Sequence, residues 1–229
     1  MGDERSGVRE RPVCVPGCSC AVGNEFGEAT AEREAARYRR SGPEATTRLL
    51  VDALRGGPLG DLNGLTVLDI GAGVGAAHLA LLAAGAASAV DVDGSPAFVE
   101  VARTEAERQR VSDRVHYETG DFVELAPRIE PADLVVLDRV VCCYPDMRAL
   151  VGLSAAHARR RYGLVYPRDS WWIRSGAALI NGTMRLFRRR LRFFSHRTAD
   201  VEDVVLSAGL TRRFHRQQLF WQIAVFERS

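Results

Sequence analysis

V-L-D-I-G-A-G-V-G, Val67 to Gly75, runs an apolar segment straight into three glycines at alternate positions. The apolar part, Leu65 to Ile70, reads as a parallel strand, because strands covered on both faces are near-continuous hydrophobic runs. A helix is expected from about Gly75. Gly71, Gly73 and Gly75 have no Cβ, so the backbone can turn sharply there and a ligand can lie against bare peptide groups. An acidic residue, Asp93, closes the next strand twenty-two positions after Gly71. A glycine turn followed by an acid in this relation predicts a nucleoside-binding crevice in a doubly wound α/β sheet.

The flanking sequence keeps the alternation that such a sheet requires. Strands are expected at 65–70, 88–93, 113–118, 133–138 and 162–166. Helices are expected over roughly 75–85, 96–109 and 146–160, with a short turn or helix near 122–127. This rhythm implies parallel strands joined by right-handed crossovers. Upstream, residues 29–40 and a second segment from Pro43 to about Leu54 read as two helices parted by S-G-P. Downstream of Pro167 come an insert over 168–195, a helix from Ala199 to Ala208, and two strand-like runs, Leu210 to Gln217 and Phe220 to Glu227. Their short junction suits antiparallel pairing. The expected architecture is therefore α/β: a Rossmann-like, doubly wound, mostly parallel seven-stranded sheet with a C-terminal antiparallel β-pair and an inserted helical cap after the fifth strand. Residues 1–28 read as a flexible, Cys-containing leader and 29–229 as one domain, with 168–195 as the cap insertion.

At 229 residues, 46% hydrophobic and 26% charged, the chain suits one α/β domain rather than two large ones. No apolar run approaches the ~20 residues that cross a bilayer, and the N-terminus has no apolar core for a secretion signal, so a cytoplasmic location is expected. The net charge of +2 conceals an asymmetry: residues 1–150 hold 16 arginines against 24 acids, and residues 151–229 hold 15 against 5. That skew favours an anionic partner near the C-terminal part. There is no lysine, which codon bias explains more simply than function. The cysteines, Cys14, Cys18, Cys20, Cys142 and Cys143, are odd in number and include an adjacent pair, which argues against a disulfide framework. The C-x3-C-x-C spacing matches no standard zinc pairing, and no metal is expected.

G-A-G-V-G-A also satisfies the relaxed dinucleotide fingerprint, so an NAD(P)-dependent oxidoreductase is the first alternative. Three features weigh against it. Two helices precede the glycine strand; Asp69 stands at the strand mouth, where a pyrophosphate would be repelled; and the sheet ends in an antiparallel pair rather than a second mononucleotide half. A non-catalytic cofactor-binding protein is the second alternative.

D-I-G-A-G-V-G, then D-V-D-G-S-P, T-G-D-F and D-L-V-V-L-D, resemble the successive landmarks of class I S-adenosylmethionine-dependent methyltransferases over about residues 29–229. More narrowly, the clustered-Cys leader, the Y-R-R-x-G-like break at Tyr38 to Gly42 and R-V-V-C-C-Y-P-D at Arg139 to Asp146 resemble a set of mostly uncharacterised bacterial methyltransferases. The magnesium-protoporphyrin O-methyltransferases are more distant relatives, and no substrate is carried over from them. The resemblance implies S-adenosyl-L-methionine as cofactor, with Asp69 and the Gly71/Gly73/Gly75 turn at its methionine part. It implies Asp93 on both ribose hydroxyls, Asp121 on the adenine amino group with Phe122 near the ring, and Asp138 and Arg139 facing cofactor and substrate. A neutral adenosine joined to a positive sulfonium agrees with carboxylates and bare backbone, and needs no phosphate-binding Arg or Lys.

Other residues divide more evenly. Asp91 points the same way as Asp93 and competes for the ribose role; Asp133 and His78 read as structural. Tyr144 and Cys143, just past the fourth strand, are the candidate catalytic residues, while Cys142 suits packing. Tyr166 and His157 are further candidate acid–base groups, with His157 expected at a helix surface, and Tyr38 is a candidate contact to the cofactor carboxylate. In the insert, Ile173, Ala177, Ile180, Met184, Phe187, Leu191 and Phe194 fall on one apolar stripe, with arginines over much of the rest; Gly176 and Gly182 predict a break. The insert is expected to cap an apolar substrate or touch an anionic membrane surface. No nucleic-acid partner is expected, since no aromatic stacking platform accompanies the arginines. The expected activity is methyl transfer to a small apolar or aromatic molecule.

Overall fold

The computed structural model describes residues 26–56, 61–186 and 192–228. The expected leader, with Cys14, Cys18 and Cys20, lies almost wholly outside the described residues. Two helices, α1 (Glu28–Ser41) and α2 (Ala45–Arg55), precede the sheet. Then come β1 (Thr66–Ile70), α3 (Ala76–Ala83), β2 (Ser88–Asp93), α4 (Pro96–Arg108), β3 (Val115–Thr119), α5 (Phe122–Leu125), β4 (Ala132–Asp138), α6 (Met147–Ala156) and β5 (Ala158–Pro167). The chain closes with α7 (Trp171–Leu186), α8 (Thr198–Ser207), β6 (Leu210–Gln217) and β7 (Trp221–Arg228).

The strands form one seven-stranded sheet in the order β3-β2-β1-β4-β5-β7-β6. β1 pairs in parallel with β2 (Leu68 opposite Val90) and with β4 (Leu68 opposite Val135), and β7 lies antiparallel between β5 and β6. The alternation of side chains supplies two cores. Leu68, Ile70, Val135 and Leu137 face α6 and α8 on one side, while Val67, Leu134 and Val136 face α2 and α3 on the other. A third cluster packs α1 on α4 through Ala31, Ala35, Phe98 and Ala106.

Gly163 in β5 sets how closely α2 approaches the sheet. A Cβ there would lie 2.8 Å from Leu50 Cδ1, so the absence of a side chain is what lets that helix seat. Two helices begin as their residues suggest. Ser95 accepts from the Phe98 N–H with Pro96 in the first turn of α4, and Asp146 accepts from the Ala149 N–H at the start of α6.

Two local expectations are corrected. The helix expected over 146–160 ends at Ala156, and β5 begins at Ala158 rather than 162. The polar A-R-R-R run reads as a helix face, but pairing with β4 draws it into the sheet. Arg161 is buried there, donating to the carbonyls of Leu54 (2.6 Å) and Gly56 at the end of α2. Cationic donors at a helix C-terminus satisfy its orphan carbonyls. Likewise, α7 runs unbroken through Gly176 and Gly182, both in open space where no neighbour forces a bend.

Candidate functional site

The strand order reverses between β1 and β4, and ligands of open α/β sheets bind outside the carboxyl ends of the strands at such a point. A cavity of about 470 Å³ lies there, a size usual for small-molecule sites. The glycine turn lines one wall. Gly71, Gly73 and Gly75 have φ of 66°, 58° and 79°, left-handed values that disfavour any residue with a Cβ. At Gly71 a Cβ would also meet Val140 Cγ2 at 2.5 Å. Gly71 and Gly73 line the cavity, whereas Gly75 does not. Gly75 instead precedes α3, where a Cβ would meet the His78 ring at 2.7 Å.

Asp93, at the end of β2, accepts from the Gly73 N–H at 2.9 Å through Oδ2 and from the Ser95 N–H at 2.8 Å through Oδ1. It therefore clamps the glycine turn, and each oxygen keeps a lone pair toward a ligand. Burial pushes its pKa up, against the pull of the two backbone donors. Asp69 is 1% exposed and lines the cavity. Its Oδ2 accepts from the His78 N–H at 3.2 Å and shares a 3.0 Å bond with His78 Nδ1. Its Oδ1 is buried without a donor among the described residues. An unmatched buried acceptor is costly, so this oxygen suits a donor brought by a ligand. His78, expected only to pack, orients Asp69; no pattern in the sequence ties that helix residue to a strand acid.

Asp121 combines two readings. It caps α5, accepting from the Val123 N–H at 2.9 Å, and it lines the cavity, where the Tyr144 hydroxyl donates to both its oxygens at 2.9 and 3.0 Å. Phe122 is buried in the core, lines the cavity, and meets His157 edge-on with centroids 5.4 Å apart. Asp138 accepts from Thr47 Oγ1 at 2.5 Å and from Arg139 Nε at 3.1 Å. Arg139, with φ 65°, also pairs with Glu44, which holds Arg37 at 2.6 Å. This ladder ties α1 and α2 to the end of β4. Burial pushes Asp138 up in pKa, while Arg139 and Thr47 hold it down. Thr47, Glu44 and Arg37 carried no signal in the sequence, because their partners lie far along the chain.

The remaining candidates separate. Cys143 and Tyr144 both reach the cavity, and so does Cys142, although it is nearly buried. Asp91 is fully buried away from the cavity, with neither oxygen partnered among the described residues. Burial, then Asp69 and Asp93, push its pKa well up. Tyr166 is buried in the core behind the sheet, away from the cavity. His157 is half-buried rather than at the surface; its ring bonds the Leu153 carbonyl at 2.7 Å and approaches that of Ala126 at 3.1 Å, which makes it structural. Tyr38 lines the cavity and accepts from Gln109 Nε2 at 3.1 Å.

Apolar and aromatic side chains, among them Leu150, Phe193 and Trp221, share the cavity lining with the carboxylates. Of the insert, Phe193 lines it and the described residues of α7 do not. Asn181 of α7 nevertheless grips Phe193, with its amide nitrogen on the carbonyl (2.7 Å) and its oxygen on the N–H (2.8 Å). Ile173 and Ala177 of the expected stripe are buried, Met184 is half-buried and Ile180 is 43% exposed, while Phe187 and Leu191 lie outside the described residues. The opposite face is more apolar than expected: Trp171, Leu179 and Leu186 are all exposed there. Among the described residues no group of three His, Cys, Asp or Glu side chains could hold a metal ion.

The fold is that of the class I S-adenosylmethionine-dependent methyltransferases, and the site suits their cofactor: an orphaned Asp69 oxygen, a bare glycine turn, and carboxylates beside it, with the lining arginines Arg37 and Arg139 held in ion pairs to Glu44 and Asp138. Residues 67–160 match a family described as a methyltransferase domain. A ribosomal protein L11 methyltransferase of Salmonella dublin is 40% identical over 129 residues, covering 52% of this chain and 42% of that protein. The chain thus spans less than half the length of the curated relatives it matches. Among solved structures, magnesium protoporphyrin IX methyltransferase of Synechocystis PCC 6803, with bound S-adenosylhomocysteine, superposes with a TM-score of 0.73 at 22% identity, over 93% of this chain and 100% of that one. Geranyl diphosphate C-methyltransferase of Streptomyces coelicolor gives a TM-score of 0.64 at 14% identity, over 92% and 88%. At these identities the likeness is one of fold. The position of β7, antiparallel between β5 and β6, departs from the 3-2-1-4-5-6 order of dinucleotide folds, and nothing favours the oxidoreductase alternative.

Proposed function

We propose that this protein transfers the methyl group of S-adenosyl-L-methionine to a small apolar or aromatic molecule. The observation that carries the reading is the cavity itself, whose lining brings the glycine turn, Asp69, Asp93 and Asp121 together with Leu150, Phe193 and Trp221. The cofactor supplies an electrophilic methyl on a positive sulfur. Asp69 and the Gly71/Gly73 turn hold its methionine end, Asp93 takes the ribose hydroxyls, and Asp121 accepts from the adenine amino group beside Phe122. Tyr144 has its proton committed to Asp121, so it fixes that carboxylate before it does anything else. Asp138, Arg139, Cys143 and Phe193 line the same cavity, so they would border the acceptor. Displacement at a sulfonium methyl can run on proximity and orientation, with a weak or absent base.

The small acceptor is supported by the apolar side chains in the cavity lining, among them the aromatic Phe26 and Tyr38 from the N-terminal segment. Solved relatives include one in complex with geranyl diphosphate, a small molecule. The residues 168–195 act as the cap of the one domain formed by 29–229, through Phe193 and its Asn181 clamp. The exposed Trp171, Leu179 and Leu186 face, flanked by Arg174 and Arg185, makes peripheral contact with an anionic membrane surface. A reducing, cytoplasmic compartment suits the two free thiols at Cys142 and Cys143.

Calorimetric titration with S-adenosylhomocysteine tests the cofactor assignment: saturable binding with no response to NAD(H) is expected. Release of S-adenosylhomocysteine during incubation with S-adenosylmethionine and a panel of phenolic and isoprenoid acceptors then tests the reaction. Binding of NAD(H) in place of S-adenosylhomocysteine would overturn both.

A further inference from the structure

Cys142 and Cys143 follow β4 in a short 3-10 turn, Val141–Cys143, with their sulfurs 3.7 Å apart. Both border the cavity, Cys142 from beneath and Cys143 half-exposed. Their hydrogen bonding makes them unequal. The Cys142 sulfur lies 3.2 Å from the Arg139 carbonyl, which takes its proton only when Cys143 does not. Cys142 also supports a thiolate on its neighbour: their mutual hydrogen bond pushes the Cys143 pKa down and the Cys142 pKa up. The turn that presents them is held from the far side. The Phe194 N–H donates to the Cys142 carbonyl at 2.7 Å, next to Phe193 in its Asn181 clamp.

We propose that Cys142 and Cys143 form a dithiol site, opening into the cavity, for a trivalent organoarsenical. Thiolates are soft ligands and select soft centres. Zinc would require about four ligands, and no third His, Cys, Asp or Glu stands with this pair among the described residues. An arsenic(III) centre carrying one carbon substituent needs only two sulfurs. The substituent then has a cavity lined in part by the apolar side chains of Leu150, Phe193 and Trp221 to enter. In the exchange an R–As(OH)2 species loses two As–O bonds and gains two As–S bonds. One proton comes from the Cys142 thiol and the other, shed by Cys143 on forming its thiolate, returns through solvent, so the hydroxides leave as two waters and arsenic stays trivalent. No oxidant or reductant takes part. The Cys143 thiolate attacks first, and Cys142 closes the ring from the adjacent position. This site is independent of the methyl-transfer reading.

The test uses the full chain with C14S, C18S and C20S substitutions, so that the pair provides the only thiols. The probe is phenylarsine oxide, followed by intact mass and by competition with monothiol and dithiol. One phenylarsenic per chain is expected, resistant to excess monothiol and removed by a small dithiol. C142S and C143S should each weaken binding by ~100-fold, the loss that follows when the second attachment ceases to be intramolecular. Retention of tight binding in either variant, or removal by monothiol alone, overturns the proposal. A readout without substitution in the pair guards against misfolded variants: one equivalent of phenylarsine oxide should block maleimide labelling of Cys143 in the folded protein. Unchanged labelling overturns it as well. Because neither readout uses S-adenosylmethionine, failure here is distinct from failure of the methyltransferase assignment.

Discussion

Each carboxylate around the turn has its own surroundings, and so its own expected response to neutralisation. Asp69→Asn removes a charged acceptor held by His78, and Asp93→Asn removes the acceptor that clamps Gly73. Hydrogen bonds to charged groups are worth about 1.5–3 kcal/mol, so each change should weaken S-adenosylhomocysteine binding roughly 10- to 100-fold by calorimetry. Unchanged affinity in both would remove the basis of the cofactor assignment. Asp91 behaves in the opposite way, because it costs stability instead of binding. Its folded pKa is raised above the unfolded value, so the folded state holds the extra proton. Stability is therefore fully present below the unfolded pKa and falls as pH rises through the window up to the folded pKa. Asp91→Asn removes that dependence. Its stability advantage over the native chain should grow as pH rises above the unfolded carboxylate range, by up to about 1.4 kcal/mol per unit, in urea titrations at each pH. An advantage that stayed constant with pH would show that Asp91 is not the group responsible. Asp69 and Asp93 were legible in the sequence because acids at strand ends beside a glycine turn have few other reasons to be there. Asp91 was legible as an acid but not as a buried one, since which strand residue ends beneath α4 is a matter of packing.

Elements depend on where they touch. Gly163 shows no turn signal, yet α2 rests on the bare backbone there. Gly163→Val should destabilise the protein by about 1–3 kcal/mol through overpacking, measured as a lowered urea midpoint. The folded fraction should still bind S-adenosylhomocysteine, since the substitution lies on the α2 side of β5 and not in the cavity lining. A variant as stable as the native chain would mean α2 can shift without cost. Gly71→Ala differs: a positive φ and a 2.5 Å approach to Val140 coincide inside the cavity, so binding should fall along with stability. Strand and helix order was legible from periodicity, because each element must bury one face. The helix-to-strand exchange at Ala158–Arg161 was not, since three arginines in a row suit a solvated helix until α2 supplies carbonyls for one of them.

For the molecule as a whole, charge and exposed apolar surface coincide on the insert. Arg174 and Arg185 flank Trp171, Leu179 and Leu186, three residues eight and seven positions apart and so on one face of α7. Co-sedimentation with phosphatidylglycerol vesicles should be strong at low salt, weaken at high salt, and be absent with phosphatidylcholine. The double substitution L179E and L186E should abolish it, while leaving S-adenosylhomocysteine affinity intact. Equal binding to neutral vesicles would exclude the electrostatic part of this reading. The apolar stripe in the sequence pointed to the buried side of this helix, and the exposed side became visible only once Ile173 and Ala177 were seen to face inward.

The order of apolar runs, glycines and acids alone determined the doubly wound sheet, its reversal point and the chemical character of the crevice, because those follow from local backbone freedom and alternating burial. Only the tertiary structure decided which groups complete the site. His78 beneath Asp69, Thr47 and Arg139 on Asp138, Tyr144 on Asp121, and Phe193 swung in by Asn181 all meet across elements. Contacts of that kind depend on how helices seat against a sheet, and side-chain spacing along one strand or one helix carries no record of them.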